Sequence, residues 1–133
     1  MASQLEDFQY GIDAISKLTK GNVFLTTKRN SILSSIENVK LNTISGPHPA
    51  GNVGIQIHHI AHLKPGEIVW TINPQDVASL GRLFKNGRYD SKRIISIAGP
   101  SVKTPSYSKI IAGAPIKALI NDLSLIHISE PTR

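Results

Sequence analysis

The sequence has 133 residues, of which 40% are apolar and 18% charged, enough for one small domain with a real core. Cysteine is absent, which excludes disulfides, cysteine-held zinc, thiolate-ligated iron–sulfur clusters and thiol catalysis in these residues. The formal charge is +6, but the basic residues are scattered from Lys17 and Lys20 through Arg82, Lys85 and Arg88 to Lys103, with few aromatics among them. That reads as a solvated or subunit-facing basic surface and predicts no nucleic acid as partner.

The N-terminal MASQLEDFQY is acidic and amphipathic and does not read as a signal peptide. Leu5, Phe8, Ile12, Ile15 and Leu18 recur at helical spacing and Gly21 is a natural stop, so residues 4–20 are predicted as an amphipathic helix. The adjacent Glu6 and Asp7 read as first-turn complements of its dipole. Residues 22–27 (NVFLTT) read as a strand. Ile32, Leu33 and Ile36 suggest one or two helical turns, and Val39, Leu41 and Thr43 alternate as a second strand.

Gly46–His62, GPHPAGNVGIQIHHIAH, holds three of the ten glycines and four of the five histidines, and runs from a Gly/Pro-rich loop into weak helical periodicity at 55–62. It is the candidate site. Gly46, Gly51 and Gly54 would let backbone N–H groups approach a ligand, and a following helix would offer its positive end. The spacing matches neither dinucleotide nor P-loop fingerprints, so a structural or contact loop stiffened by Pro47 and Pro49 is the favoured reading. His48, between those prolines, is a candidate proton carrier or hydrogen-bond donor to a carbonyl such as a quinone's, set against a surface histidine capping a turn. His58 and His62, four apart, could share a helix face, but no carboxylate or thiol completes a metal set. They read as partly buried helix histidines, and no metal site is expected. No triad order, GxSxG or close carboxylate pair is present, so no autonomous catalytic site is expected.

Lys64-Pro65-Gly66 is a turn. Glu67–Ile72 (EIVWTI) is the strongest strand signal and, being nearly continuous apolar, is predicted central and buried on both faces. Asn73 and Pro74 open a helix over 74–86, with Val77, Leu80, Gly81 and Phe84 on its apolar face and Gly87 closing it. The alternation predicts a three-layer α/β unit with a mainly parallel sheet. Beyond Ser91 the character changes to short strands at 93–98 and 108–112 joined by Gly/Pro turns, then an apolar stretch at 115–120 that could be a helix. We expect a boundary there and a β-rich module that stops too early to make its own core.

GPHPAGNVG, VWTINPQDVASLGRLF, GRY and RIISIAGPSVKTP together resemble the A subunit of the sodium-translocating NADH:quinone oxidoreductases, in order from about Gly11 to about Leu119. The resemblance implies a middle fragment of a longer subunit. Residues 1–91 would be the second half of a Rossmann-like domain, and 92–122 the truncated start of a β-grasp, soluble-ligand-binding module. The family is also similar to the flavin-binding subunit of respiratory complex I and to the C subunit of Rnf complexes. By resemblance this chain holds no cofactor, and the flavins and iron–sulfur centres that oxidise NADH belong to other subunits. Those subunits would be its partners, with quinone as a further contact. It would lie peripherally on the cytoplasmic side of the bacterial inner membrane, meeting the membrane only through them. An Rnf-type subunit and a stand-alone quinone- or nucleotide-binding module are the alternatives. The final Leu123–Arg133, LSLIHISEPTR, resembles a translated sequencing-library adaptor, so 123–133 is expected to be non-native, with a natural end near Asp122.

Overall fold

A computed structural model describes residues 2–100, 102 and 104–120. The tail at 123–133, with the end of the second module at 121–122, lies outside them. The chain forms two compact units, one ending at Asp90 and the next opening at Ser91. Both are small α/β assemblies with short sheets.

In the first unit, helix α1 (Ala2–Leu18) leads to strand β1 (Phe24–Lys28). A crossover with a 3-10 turn at Ile32–Ser35 returns to strand β2 (Lys40–Ile44). The two strands pair in parallel, Phe24 beside Lys40 and Lys28 beside Ile44. Parallel pairing needs such a crossover. Ser31 caps its turn by accepting from the Leu33 N–H at 3.2 Å, and Asn30 and Asn38 take the left-handed conformations (φ 59° and 61°) that short polar side chains tolerate. Gln9 of α1 clamps the crossover. Its amide oxygen accepts from the Glu37 N–H at 2.9 Å, and its Nε2 donates to Asp13 at 2.9 Å and to the Glu37 carbonyl at 3.3 Å.

Helix α2 (Val53–Ile60) follows the Gly46 loop, and helix α3 (Pro74–Asn86) packs along α1. The Asn73 carbonyl starts α3 by accepting from Asp76 and Val77 at 2.9 and 3.0 Å. The Asn73 side chain makes no cap bond. Gly87 ends the helix in the left-handed conformation (φ 67°). The core is Phe8 and Ile12 of α1, Leu25 of β1, Ile36 of the crossover and Val77 of α3, flanked by Leu5, Ile15, Val23, Leu33, Val39 and Ala78.

Expectations for several of these residues need correction. Glu67–Ile72 is not a buried strand: it takes no regular secondary structure and pairs with no strand among the described residues, and Trp70 is 91% exposed. An apolar run becomes an interior strand only where neighbours flank it, and the described residues supply none. Leu18, in the last turn of α1, is exposed, and so is Phe84, since α3 turns Val77, Ser79 and Gly81 inward instead. Leu41 is exposed although it sits beside buried Leu25, since the core gathers on β1 and not on β2. Glu6 and Asp7 lie beyond the first turn of α1 and pair with α3, as described below.

The second unit is an antiparallel hairpin of β3 (Lys92–Ile97) and β4 (Ser106–Ile111), in register Lys92–Ile111 to Ile97–Ser106. Ala112 extends the ladder by donating to the Ser91 carbonyl at 2.9 Å. Arg93, Ile95 and Ile97 alternate half-buried with exposed neighbours, as a one-sided sheet requires. A short helix α4 (Ile116–Ile120) follows. No residue described in this unit is fully buried.

Candidate functional site

The Gly46 loop leaves the carboxyl end of β2, the end of a parallel sheet where α/β folds place their ligands. Gly46 turns the chain with φ 131°, a conformation side chains resist. Two overlapping turns then form, with the Ala50 N–H donating to Pro47 O at 3.0 Å and the Asn52 N–H to Pro49 O at 2.8 Å. The His48–Pro49 peptide is cis. Gln56, one turn into α2, reaches back: its Nε2 donates to Gly51 O at 3.0 Å and Ala50 O at 3.4 Å. The loop is therefore a closed knob tied to the helix it precedes.

Gly46, Pro47, His48, Pro49, Gly51 and Gly54 are all exposed. A Cβ on Gly51 or Gly54 would meet nothing within 4 Å, so no protein group presses on them. Among the described residues, the knob leaves His48 and its glycine backbone exposed.

His58 and its neighbours differ from expectation. His58, His59 and His62 are exposed and not partly buried, and His62 stands beyond the end of α2. His58 does sit close to His62, ring centroids 5.0 Å apart and nearly edge-on, with His59 5.2 Å away. The chain leaves the helix after Ile60, so the pair is not held by one helix face. Among the described residues no group of three or more His, Cys, Asp or Glu is placed to hold a metal.

A shallow groove of about 340 Å³ lies at the amino ends of β1 and β2, lined by Ser16, Asn22, Val23, Asn38, Val39 and Lys40. It is at the opposite end of the strands from the knob and brings none of the candidate residues together.

Sequence reasoning missed the charged seam between α1 and α3. Lys85 Nζ lies 2.8 Å from Glu6 and 3.8 Å from Asp7. Arg82 bridges Asp7 at 3.9 Å and Asp90 at 3.5 Å, and its Nη2 donates to Ser79 Oγ at 2.9 Å. The hydrogen bond to Glu6 raises the Lys85 pKa above its ordinary value, aided by the nearby carboxylates and opposed by desolvation. Opposite charges at helical spacing on both predicted helices were the available signal. The seam joins the two helices.

Among the described residues no helix is long and apolar enough to cross a membrane. Residues 1–89 match the family described as the NqrA second alpha/beta domain. The A subunit of the Na(+)-translocating NADH-quinone reductase of Marinomonas sp. is 36% identical over 130 residues, 98% of this chain and 28% of the relative. The same subunit of Pasteurella multocida is 39% identical over 114 residues, 84% of this chain and 26% of the relative. That of Hahella chejuensis is 38% identical over 115 residues, 85% and 26% respectively. The chain thus spans between a quarter and a third of the length of these relatives.

Proposed function

Because this chain belongs to the family of the A subunit of the Na(+)-translocating NADH-quinone reductases, we propose that it is a middle piece of that peripheral subunit, with a scaffold role and a quinone-contact loop. The single observation that supports the reading most is identity of 36–39% spread over 84–98% of the chain to relatives bearing that name. The partners are then the other subunits of the complex. On this reading the first unit is the second half of a Rossmann-like domain and the second opens a β-grasp module.

This chain carries no cofactor of its own, and for thiolate-held clusters the lack of any cysteine supports that reading. Flavins and iron–sulfur centres in other subunits supply the electrons. The chain lies on the cytoplasmic side of the bacterial inner membrane and reaches it through those subunits. Its part in the chemistry is contact. The exposed His48 imidazole donates a hydrogen bond to a quinone carbonyl oxygen, and the open glycine backbone at Gly51 and Gly54 lets a flat ring approach.

The test is His48→Ala in the full-length subunit. Expected is an assembled complex whose KM for quinone rises while NADH oxidation by artificial acceptors is unchanged. If quinone reduction and assembly are both unaffected, the contact role is lost. The 133-residue chain alone should bind neither a quinone analogue nor NADH tightly, because its candidate residues are exposed; saturable tight binding would overturn the scaffold reading.

A further inference from the structure

The basic residues are scattered along the chain, but the acidic ones are not. Residues 91–120 hold Lys92, Arg93, Lys103, Lys109 and Lys117 and no aspartate or glutamate, so this stretch carries +5 of a whole-chain charge of +6. Residues 1–90 have nine basic residues against seven acidic, and ion pairs between them knit α1 to α3. A charge so lopsided between two units describes a partner of opposite sign.

The hairpin of the second unit gives that charge a surface. Strand alternation divides it into two faces. Arg93, Ile95, Ile97 and Ile110 lie on the half-buried face. The opposite face carries Ile94 at 45% exposure, Tyr107 at 82% and Ile111 at 61%, with Lys92 and Lys109 among them. The register sets Lys109 beside Ile94, Lys92 beside Ile111 and Tyr107 beside Ser96, so each large apolar side chain has a polar neighbour across the strands. The outward face of a one-sided sheet is ordinarily polar. Here half of it is large and apolar, which marks a surface that meets something.

Its chemistry selects an acidic protein segment with apolar side chains between its carboxylates. Nucleic acid needs stacking platforms, and Tyr107 is the one aromatic group on this face; the isoleucines require aliphatic contact. A segment of the same polypeptide is kept near by its linkage and needs no long-range attraction. A separate chain must be found by diffusion, which opposite charge accelerates. We propose that the face formed by Ile94, Tyr107 and Ile111, with Lys109 at its centre, docks an acidic segment of another subunit. The inference rests on the reading of this chain as part of a multi-subunit complex and locates one of its contacts.

Lysine acetylation read by mass spectrometry, on the full-length subunit alone and in the assembled complex, tests it. Lys109 should react freely in the isolated subunit and at least about tenfold more slowly in the complex, as an interface amine does. Protection already present in the isolated subunit would overturn the proposal, because its own polypeptide then covers the face. Equal reactivity in both would overturn it too. Lys109→Glu should weaken reassembly with the complex lacking this subunit by about tenfold at low salt, and by less at high salt. Lys20→Glu, at an exposed position just beyond α1, should leave reassembly unchanged; equal weakening by both would show overall charge at work and not this face. Binding of the isolated subunit to anionic phospholipid vesicles that Lys109→Glu abolishes would make lipid the occupant and overturn the proposal. If the unmutated subunit does not reassemble at all, the reading of the chain as a subunit fails and the proposal with it. If it reassembles with Lys109 unprotected, the proposal alone fails.

Discussion

The α1–α3 pair and the stretch from Gly46 to Ile72 both depend on glycine, in opposite ways. Where the helices cross, a Cβ on Gly81 would lie 1.6 Å from the Asp7 carbonyl oxygen, and one on Gly11 2.1 Å from that of Val77. These glycines make room for another backbone. In the knob and beyond, a Cβ added to Gly51, Gly54 or Gly66 would have nothing within 4 Å, and Gly46 and Gly66 are distinguished by φ of 131° and 90°. There glycine shapes the chain or leaves backbone open. Close approach builds a rigid platform from Phe8, Ile12 and Val77, and the open stretch displays His48 and Trp70 from it.

The sharpest way to break this contrast is Gly81→Ala. A methyl group cannot occupy a position 1.6 Å from a carbonyl oxygen, so the helices must separate and Val77 must loosen. Overpacking of this kind costs about 2–3 kcal/mol, a large share of the stability of a domain this size. Denaturant unfolding followed by circular dichroism should show the loss in Gly81→Ala and again in Gly11→Ala. If either is neutral, the helices do not meet backbone to backbone.

Much of the platform was legible in the sequence. Phe8, Ile12 and Val77 fall on the predicted helical faces, and Pro74–Asn86 begins and ends where Pro74 and Gly87 place it, because proline at the first turn and a left-handed glycine after the last act locally. Gly81 reads in the sequence as part of an apolar stripe, since spacing cannot say that a backbone lies opposite. Glu67–Ile72 reads as a buried strand from composition alone. Burial depends on neighbours that local pattern does not contain, so the same residues join no sheet and are exposed here. The knob was legible as a Gly/Pro loop, but the back-bond from Gln56 was not, because a single glutamine in a helix carries no signal of its partner. Helical spacing makes the histidines look partly buried, but α2 buries no residue, and the chain leaves the helix before His62.

A smaller change of opposite sign sharpens the contrast from the open side. Gly54 sits in the first turn of α2 with free space around it. Gly54→Ala should stabilise that helix by about 0.5–1 kcal/mol, through lower backbone entropy in the unfolded chain. The check is slower exchange of the α2 amides with the α1–α3 unfolding midpoint unchanged. A destabilised α2 would show that Gly54 is pressed by something, and would move it into the class of Gly81.

The smallest expected effect lies in the charged seam that holds the platform's edge. Lys85 hydrogen-bonds Glu6 and has a raised pKa, so folding favours its protonated form. A raised folded-state pKa gives a contribution that is whole below the ordinary lysine value of 10.5 and is lost as pH climbs through the folded value. The pair is solvent-accessible, so the effect is slight and falls with added salt. Lys85→Met keeps the apolar stem and removes the charge. At low salt the unmutated chain should melt slightly above Lys85→Met at neutral pH, and the difference should close on the alkaline side of 10.5. A difference that widened with rising pH would mean that the deprotonated amine is the form folding prefers, and that the Lys85–Glu6 pair has no part in keeping α1 and α3 together.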